Sequence, residues 1–379
     1  MLHTSLGFHT FTIFQTITNI EANNLLNQFK EYSQKTGNIK IFLSKNKINF
    51  VKEYCICYIK KEIGITWYIP FYNDVKFKCY QIRAVINPKI LIGTNDYITA
   101  TTEKDLDRVL FEFQKNAMEI SKQLADMQRY CFHRIDYCIN FDLEELGDYE
   151  PLFFMSLIQH ANIPNCFKEK MKYDTISHRK KRYMESFYLK SDSVTVNCYC
   201  KYLQLQKQFP TCPNIEQSKY IIRFEIQCSY KKVYNMIYQN KEYESFEQIF
   251  YDMLSDEQAQ YIIEKYYKST IMLGDYYTLK EAKKRIQSSC YREKKKQYLI
   301  DVLTMIAKSR GVMKAKEKLS KEEKTKFEKA LKELQKVGIN PVVLPKRRKI
   351  HYVPTISLHI SKLFRNFHCI FLKFKQYSI

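Results

Sequence analysis

Glycine and proline are scarce, at 8 and 9 copies in 379 residues, which excludes a disordered or low-complexity chain. No apolar run reaches the roughly 18 residues of a membrane span. The opening stretch MLHTSLGFHTFTIFQTITNI has neither a basic leader segment nor a small-residue cleavage site, and its apolar residues alternate. It reads as a strand rather than a signal peptide, so a cytoplasmic protein with no membrane partner is expected. The 12 cysteines make no CxxC…CxxC pattern and no Cys/His zinc spacing. Cys55/Cys57 and Cys198/Cys200 fall at alternate positions of strand-like runs and read as reduced core residues. A G-x-x-x-x-G-K-[ST] loop is also missing, so any unwinding of a duplex needs a partner.

What is present is apolar and basic. The hydrophobic fraction is 45%, enough for a substantial core, and there are 30 Tyr and 25 Phe. Such aromatics favour strands and can stack on bases. An AT-rich coding sequence raises Lys, Asn, Ile, Tyr and Phe together, so the tyrosine count alone carries little weight. The net charge of +22 attracts polyanions, nucleic acid first. Residues 280–350 hold 23 Lys and Arg against 8 Asp and Glu, which places +15 of that charge in a fifth of the chain.

The order of patterns predicts an α+β fold: an antiparallel sheet domain with helices on one face, followed by a basic helical region. Strands are expected at 8–19, 49–60, 64–72, 75–87, 133–141, 185–190, 193–202 and 220–228, with helices at 20–32, 102–129 and 149–162. Helical spacing dominates from Lys231. Gly311 marks a break before a short helix at 312–319. Ser320 to Glu323 is a capping box opening another helix, and Gly338 is placed as its stop. Pro341 to Pro345 reads as a short strand, which gives the region the outline of a winged helix-turn-helix. The expected domains are 1–235, 236–350 and a basic-apolar tail at 351–379. Basic residues expected on DNA are Arg179, Lys180, Lys181 and Arg182, then Lys314, Lys316, Lys318, Arg347 and Arg348.

Three runs carry the candidate chemistry: Arg134 to Asn140, Val194 to Lys201, and Ile222 to Gln227. Each alternates, so each has one apolar face and one polar face. If the runs pair, Asp136, Tyr199, Lys201, Arg223 and Glu225 share a face. A solvated sheet face explains alternation equally well. Asp and Glu are nevertheless depleted in strand centres. Two carboxylates converging on one spot repel unless a cation separates them, and hard oxygens suit Mg²⁺ or Mn²⁺. A tyrosine hydroxyl there can attack a phosphate. Lys201 can activate Tyr199 or grip the phosphate, and Arg223 can clamp it.

Arg134-Ile135-Asp136, Tyr199-x-Lys201, Arg223-Phe224-Glu225 and Gly338-Ile339-Asn340-Pro341 together resemble the rolling-circle replication initiators of phages, plasmids and integrated mobile elements, of the filamentous-phage gene II-like and Rep-trans-like kinds. The motifs span most of residues 130–345. The resemblance implies a metal-dependent enzyme that binds a replication origin, single-stranded or cruciform. It nicks one strand, keeps the 5′ phosphate on tyrosine and leaves a 3′ hydroxyl for priming. It further implies Asp136 and Glu225 as metal ligands, Tyr199 as nucleophile, a host helicase and polymerase as partners, and a homodimer as one admissible assembly. Two departures matter. There is no His-hydrophobic-His pair, and the histidines read as near the site are His133 and His178. Cys200 also stands where relatives carry an acidic residue or glycine. Because gene II-like enzymes place the nucleophile on a helix, Tyr230 and Tyr234, four apart after the Glu225 strand, are alternative nucleophiles. The competing function is a non-catalytic DNA-binding initiator or repressor.

Overall fold

The computed structural model describes residues 5–45, 52–59, 63–71, 80–94, 96–144, 149–174, 178–238, 242–345 and 350–355. In chain order its strands are β1 (Leu6–Ile17), β2 (Ile39–Lys45), β3 (Lys52–Tyr58), β4 (Ile65–Phe71), β5 (Tyr80–Ile86), β6 (Cys131–Asp142), β7 (Lys168–Glu169), β8 (Lys172–Asp174), β9 (Arg179–Lys181), β10 (Ser186–Lys190), β11 (Val194–Cys200), β12 (Ile221–Cys228), β13 (Tyr276–Tyr277) and β14 (Tyr352–Val353). Ten of them form one antiparallel sheet in the order β2-β3-β4-β5-β1-β6-β12-β11-β10-β7. The fold is α+β, as the mixed periodicities indicate.

The sheet buries one face because its strands alternate. Phe8, Phe11, Ile135, Tyr137, Phe224 and Ile226 are all at most 1% exposed. Helix Asp256–Thr270 covers that face, with the Tyr267 ring 5.6 Å from Phe224 and 6.0 Å from Phe141. The Tyr137 hydroxyl donates to the carbonyl of Met253 at 2.7 Å, pinning helix Phe246–Met253 to the same face. Helix Tyr230–Tyr238 runs through the expected boundary at 235, and the helices after it share the sheet's core.

Helix Asn19–Thr36 links β1 to β2 and begins at a Thr18–Glu21 capping box. The helix expected over 102–129 is shorter. It runs from Leu106 to Met118 and gives way to 3₁₀ turns at Lys122–Leu124 and Met127–Arg129. The Ser121 side chain accepts the Gln123 N–H, a local bond that competes with the helix.

The basic region folds as helices Leu279–Gln287, Glu293–Ser309, Val312–Glu317 and Lys321–Lys336, with the Ser320–Glu323 capping box as expected. The strand expected at Pro341 to Pro345 does not form, because its two prolines cannot donate to a ladder. Leu344 makes a single bridge to Thr278, and the ribbon beside it is β13 with β14. Asn340 is 1% exposed and donates to the carbonyls of Ile271 and Met272 at 3.2 and 3.3 Å, so the Gly338–Pro341 motif ties this region to helix Asp256–Thr270. Among the described residues, no helix is long and apolar enough to cross a membrane.

Candidate active site

The polar face of the sheet is built from registered rows. Thr10, Asp136, Gln227 and Thr195 lie across β1, β6, β12 and β11. Cys138, Glu225, Asn197 and Tyr188 lie across β6, β12, β11 and β10. Asn140, Arg223, Tyr199 and Ser186 form the third row. Asp136, Tyr199, Arg223 and Glu225 therefore do share a face. A cleft of about 500 Å³ opens over these rows, lined among others by His9, Arg134, Asp136, Tyr188, Tyr199 and Glu225.

Both carboxylates are buried but provided for. Asp136 accepts from the Arg134 guanidinium through both oxygens and from the Thr10 hydroxyl. Burial pushes its carboxyl up, Arg134 pulls it back, and the charge of Glu225 raises it again, to about 6. Glu225 accepts from Tyr199 Oη at 3.2 Å and from Gln227 Nε2 at 2.8 Å, and its Oε2 lies 3.4 Å from His9 Nδ1. Burial would raise it too, but His9, Gln227 and the Arg223 charge hold it at about 2. His9 is itself lowered to about 4, by burial first and by the charges of Arg223 and Lys201. At neutral pH the cleft thus holds an ionised Glu225 beside a neutral imidazole.

The other expected residues are placed differently. Lys201 is not on the strand: β11 ends at Cys200 and Lys201 opens helix Lys201–Gln208. Lys201 does not line the cleft itself; its ammonium donates at 2.8 Å to Gln204, which does, and burial together with Arg223 pulls its pKa well down. Arg223 is fully buried. Its guanidinium donates to Asn140 at 2.8 Å and to the carbonyls of Ile98 and Thr99, so it does not face the cleft; the guanidinium that does is Arg134. Tyr199 is 8% exposed, and burial raises its hydroxyl well above the ordinary range. Tyr230 and Tyr234 stand on their helix away from the cleft lining, as does His133.

Of the basic residues expected on DNA, Arg182 is spent internally, on Glu169 and the carbonyl of Gln159. Lys316 is buried in an ion pair with Glu328, leaving Lys314 and Lys318 exposed. The side chains of Arg179, Lys180 and Lys181 lie outside the described part of the structure, as do Arg347, Arg348 and residues 356–379.

Two cleft residues escape a reading by strand alternation. His9 and Thr10 both face the cleft because a bulge between Phe8 and Thr10 interrupts the alternation of β1. Tyr188 alternates with buried Phe187 and Leu189, a pattern that marks it as belonging to the polar face. It is half-buried, its ring lies 5.1 Å from the Lys170 ammonium, and its hydroxyl is within electrostatic reach of Arg134.

Asp136, Glu225 and His9 are the right chemistry for a hard divalent cation. Among the described residues, though, no three such side chains are gathered at ligand spacing, and Arg134 and Thr10 occupy Asp136.

No protein-family model and no curated protein matches the chain. Among solved structures, it is similar to a rolling circle replication initiator protein from Geobacillus stearothermophilus. That match has a TM-score of 0.35 at 9% identity and covers 70% of this chain and 85% of that one. A likeness this distant carries no argument about residues or chemistry.

Proposed function

We propose that the cleft takes a phosphodiester of single-stranded DNA and that a tyrosine attacks it, making the protein a replication initiator that nicks one strand at an origin. The observation that carries this reading is the single cleft joining tyrosine hydroxyls, a half-exposed guanidinium and two buried carboxylates, in a chain of charge +22.

Tyr188 is the better-placed nucleophile. Its hydroxyl has no hydrogen-bond partner among the described residues, whereas that of Tyr199 is held by Glu225. In the proposed step the Tyr188 Oη–P bond forms and the P–O3′ bond breaks. The tyrosine proton passes through the solvent of the open cleft to neutral His9, whose imidazolium the ionised Glu225 stabilises, and the departing 3′ oxygen takes a proton back by the same route. Arg134 binds the phosphate in the bidentate manner it now uses on Asp136. Asp136 and Glu225 would hold a Mg²⁺ or Mn²⁺ ion, which when bound supplies positive charge against the pentacovalent phosphorus.

The test incubates the protein with a randomised pool of single-stranded oligonucleotides and Mn²⁺ and looks for a denaturation-resistant protein–DNA band. The band is expected in wild type and in Tyr199→Phe and absent in Tyr188→Phe; the reverse pattern transfers the attack to Tyr199. Mn²⁺ alone should raise the melting temperature of wild type and not of Asp136→Asn, and an unchanged wild-type melt removes the metal. A second reading, DNA binding without cutting, is favoured by the full pairing of Asp136 with Arg134 and Thr10. It is the outcome if the wild type binds the pool and forms no band.

A further inference from the structure

Helix Tyr230–Tyr238 turns a row of tyrosines to solvent. Tyr230, Tyr234 and Tyr238 recur every four residues and are 44, 47 and 65% exposed, while Val233, Met236 and Ile237 on the other side are buried. Three large exposed rings on one helical face are not what packing requires. The rings also touch one another, with centroids 6.0 Å apart between Tyr230 and Tyr234 and 4.5 Å apart between Tyr234 and Tyr238.

The row continues onto the sheet. Tyr230 stacks on His133 at 6.0 Å with 26° between the planes and meets Phe14 edge-on at 5.8 Å. His133 does not itself line the cleft, but it is the chain neighbour of Arg134, which does, and it feels that guanidinium's charge, so the row begins close beside the cleft. The surroundings are cationic. The charges acting on His133 are those of Arg83 and Arg134, Lys232 lies in the field of Lys265, and Lys231 is exposed beside Tyr230.

We propose that Tyr230, Tyr234 and Tyr238 form a stacking platform for the unpaired bases of single-stranded DNA, adjoining the cleft at His133 and Arg134. Every base offers a π-face, so stacking on tyrosine tolerates any sequence, while the flanking cations meet the backbone. Paired bases hide their faces, so the platform discriminates single strands from duplex. The inference takes DNA as the substrate class from the reading above, but it concerns grip and not cutting.

Fluorescence anisotropy with a labelled oligo-dT and with a duplex of equal length, at one salt concentration, tests it. The double variant Tyr234→Ser/Tyr238→Ser is expected to lose about tenfold or more in single-strand affinity, the usual scale for removing base-stacking rings. Its duplex affinity is expected to stay as in wild type. Tyr234→Phe/Tyr238→Phe keeps the rings and should bind like wild type. Unchanged single-strand binding in the serine variant, equal loss on both DNAs, or a matching loss in the phenylalanine variant overturns the platform. The covalent band is scored in parallel on a short oligonucleotide. A wild type without the band but with the selective single-strand loss retains the platform and drops the nicking reading. A wild type with the band and no selective loss does the opposite.

Discussion

Arg134 sets the charge of the cleft. It leaves one buried carboxylate paired, so on the proposed reading a phosphate entering the cleft competes with Asp136 for the same guanidinium. Its neighbour His133 offers a cleaner titration, because it meets Phe14 edge-on, stacks on Tyr230, and has only Arg83 and Arg134 as the charges acting on it. Burial, and then the charges of Arg83 and Arg134, lower His133 to about 4. A histidine lowered in this way stabilises the fold above its unfolded pKa of about 6.5, and that contribution is lost as pH falls from there through 4. Asp136, raised to about 6, has the opposite slope: its contribution is present below about 4 and lost as pH rises through 6. Comparing variants separates the two. His133→Phe keeps an aromatic ring in place and should lose less stability than wild type between pH 7 and pH 5, by on the order of 1 kcal/mol. Equal losses in urea melts at the two pH values would refute this. At this scale the sequence is legible where alternation holds. A period of two is enough to put Asp136, Tyr199 and Glu225 on one face of three paired strands. It does not reveal His9, because one bulged residue puts that side chain on the same side as Thr10.

Elements are legible wherever local chemistry marks their ends, as at the Ser320–Glu323 box and the Ser191 turn of the β10–β11 hairpin. They are not where tertiary contacts decide. Nothing local says that β11 stops at Cys200 and that Lys201 begins a helix, and that one step takes Lys201 off the strand that carries Tyr199. The join between the sheet domain and the basic helices is of the second kind. Gly274 has φ +100, and a Cβ there would lie 2.5 Å from the backbone carbon of Ile339 and 2.6 Å from the nitrogen of Asn340. The backbone approach brings Asp275 N–H to Gly338 O and Asn340 N–H to Asp275 O, both at 2.9 Å. Gly274→Ala combines a left-handed strain with a backbone clash and should cost more than about 2 kcal/mol. A thermal melt within a degree or two of wild type would show that the join yields without cost.

For the molecule as a whole, the excess positive charge and its site of action are separate matters. The +15 of residues 280–350 can be counted from the sequence, but which of those cations face outward depends on packing that no spacing rule reports. Lys314, Lys316 and Lys318 alternate in the chain, yet the helix Val312–Glu317 turns Lys316 inward to Glu328 and leaves the other two exposed. Contacts of exposed lysines with DNA phosphates release counterions, so affinity falls linearly on a log–log plot against salt, by roughly 0.7 to 0.9 per phosphate neutralised. If the basic helices lie on DNA, Lys314→Gln/Lys318→Gln should make that slope shallower by about 1.5 while leaving the melting temperature unchanged. Lys316→Gln should do the reverse, keeping the slope and lowering the melting temperature, because Glu328 loses its partner against a buried position. A double variant whose salt slope matches wild type would take these helices off the DNA and leave the cleft and the aromatic row beside it to account for binding.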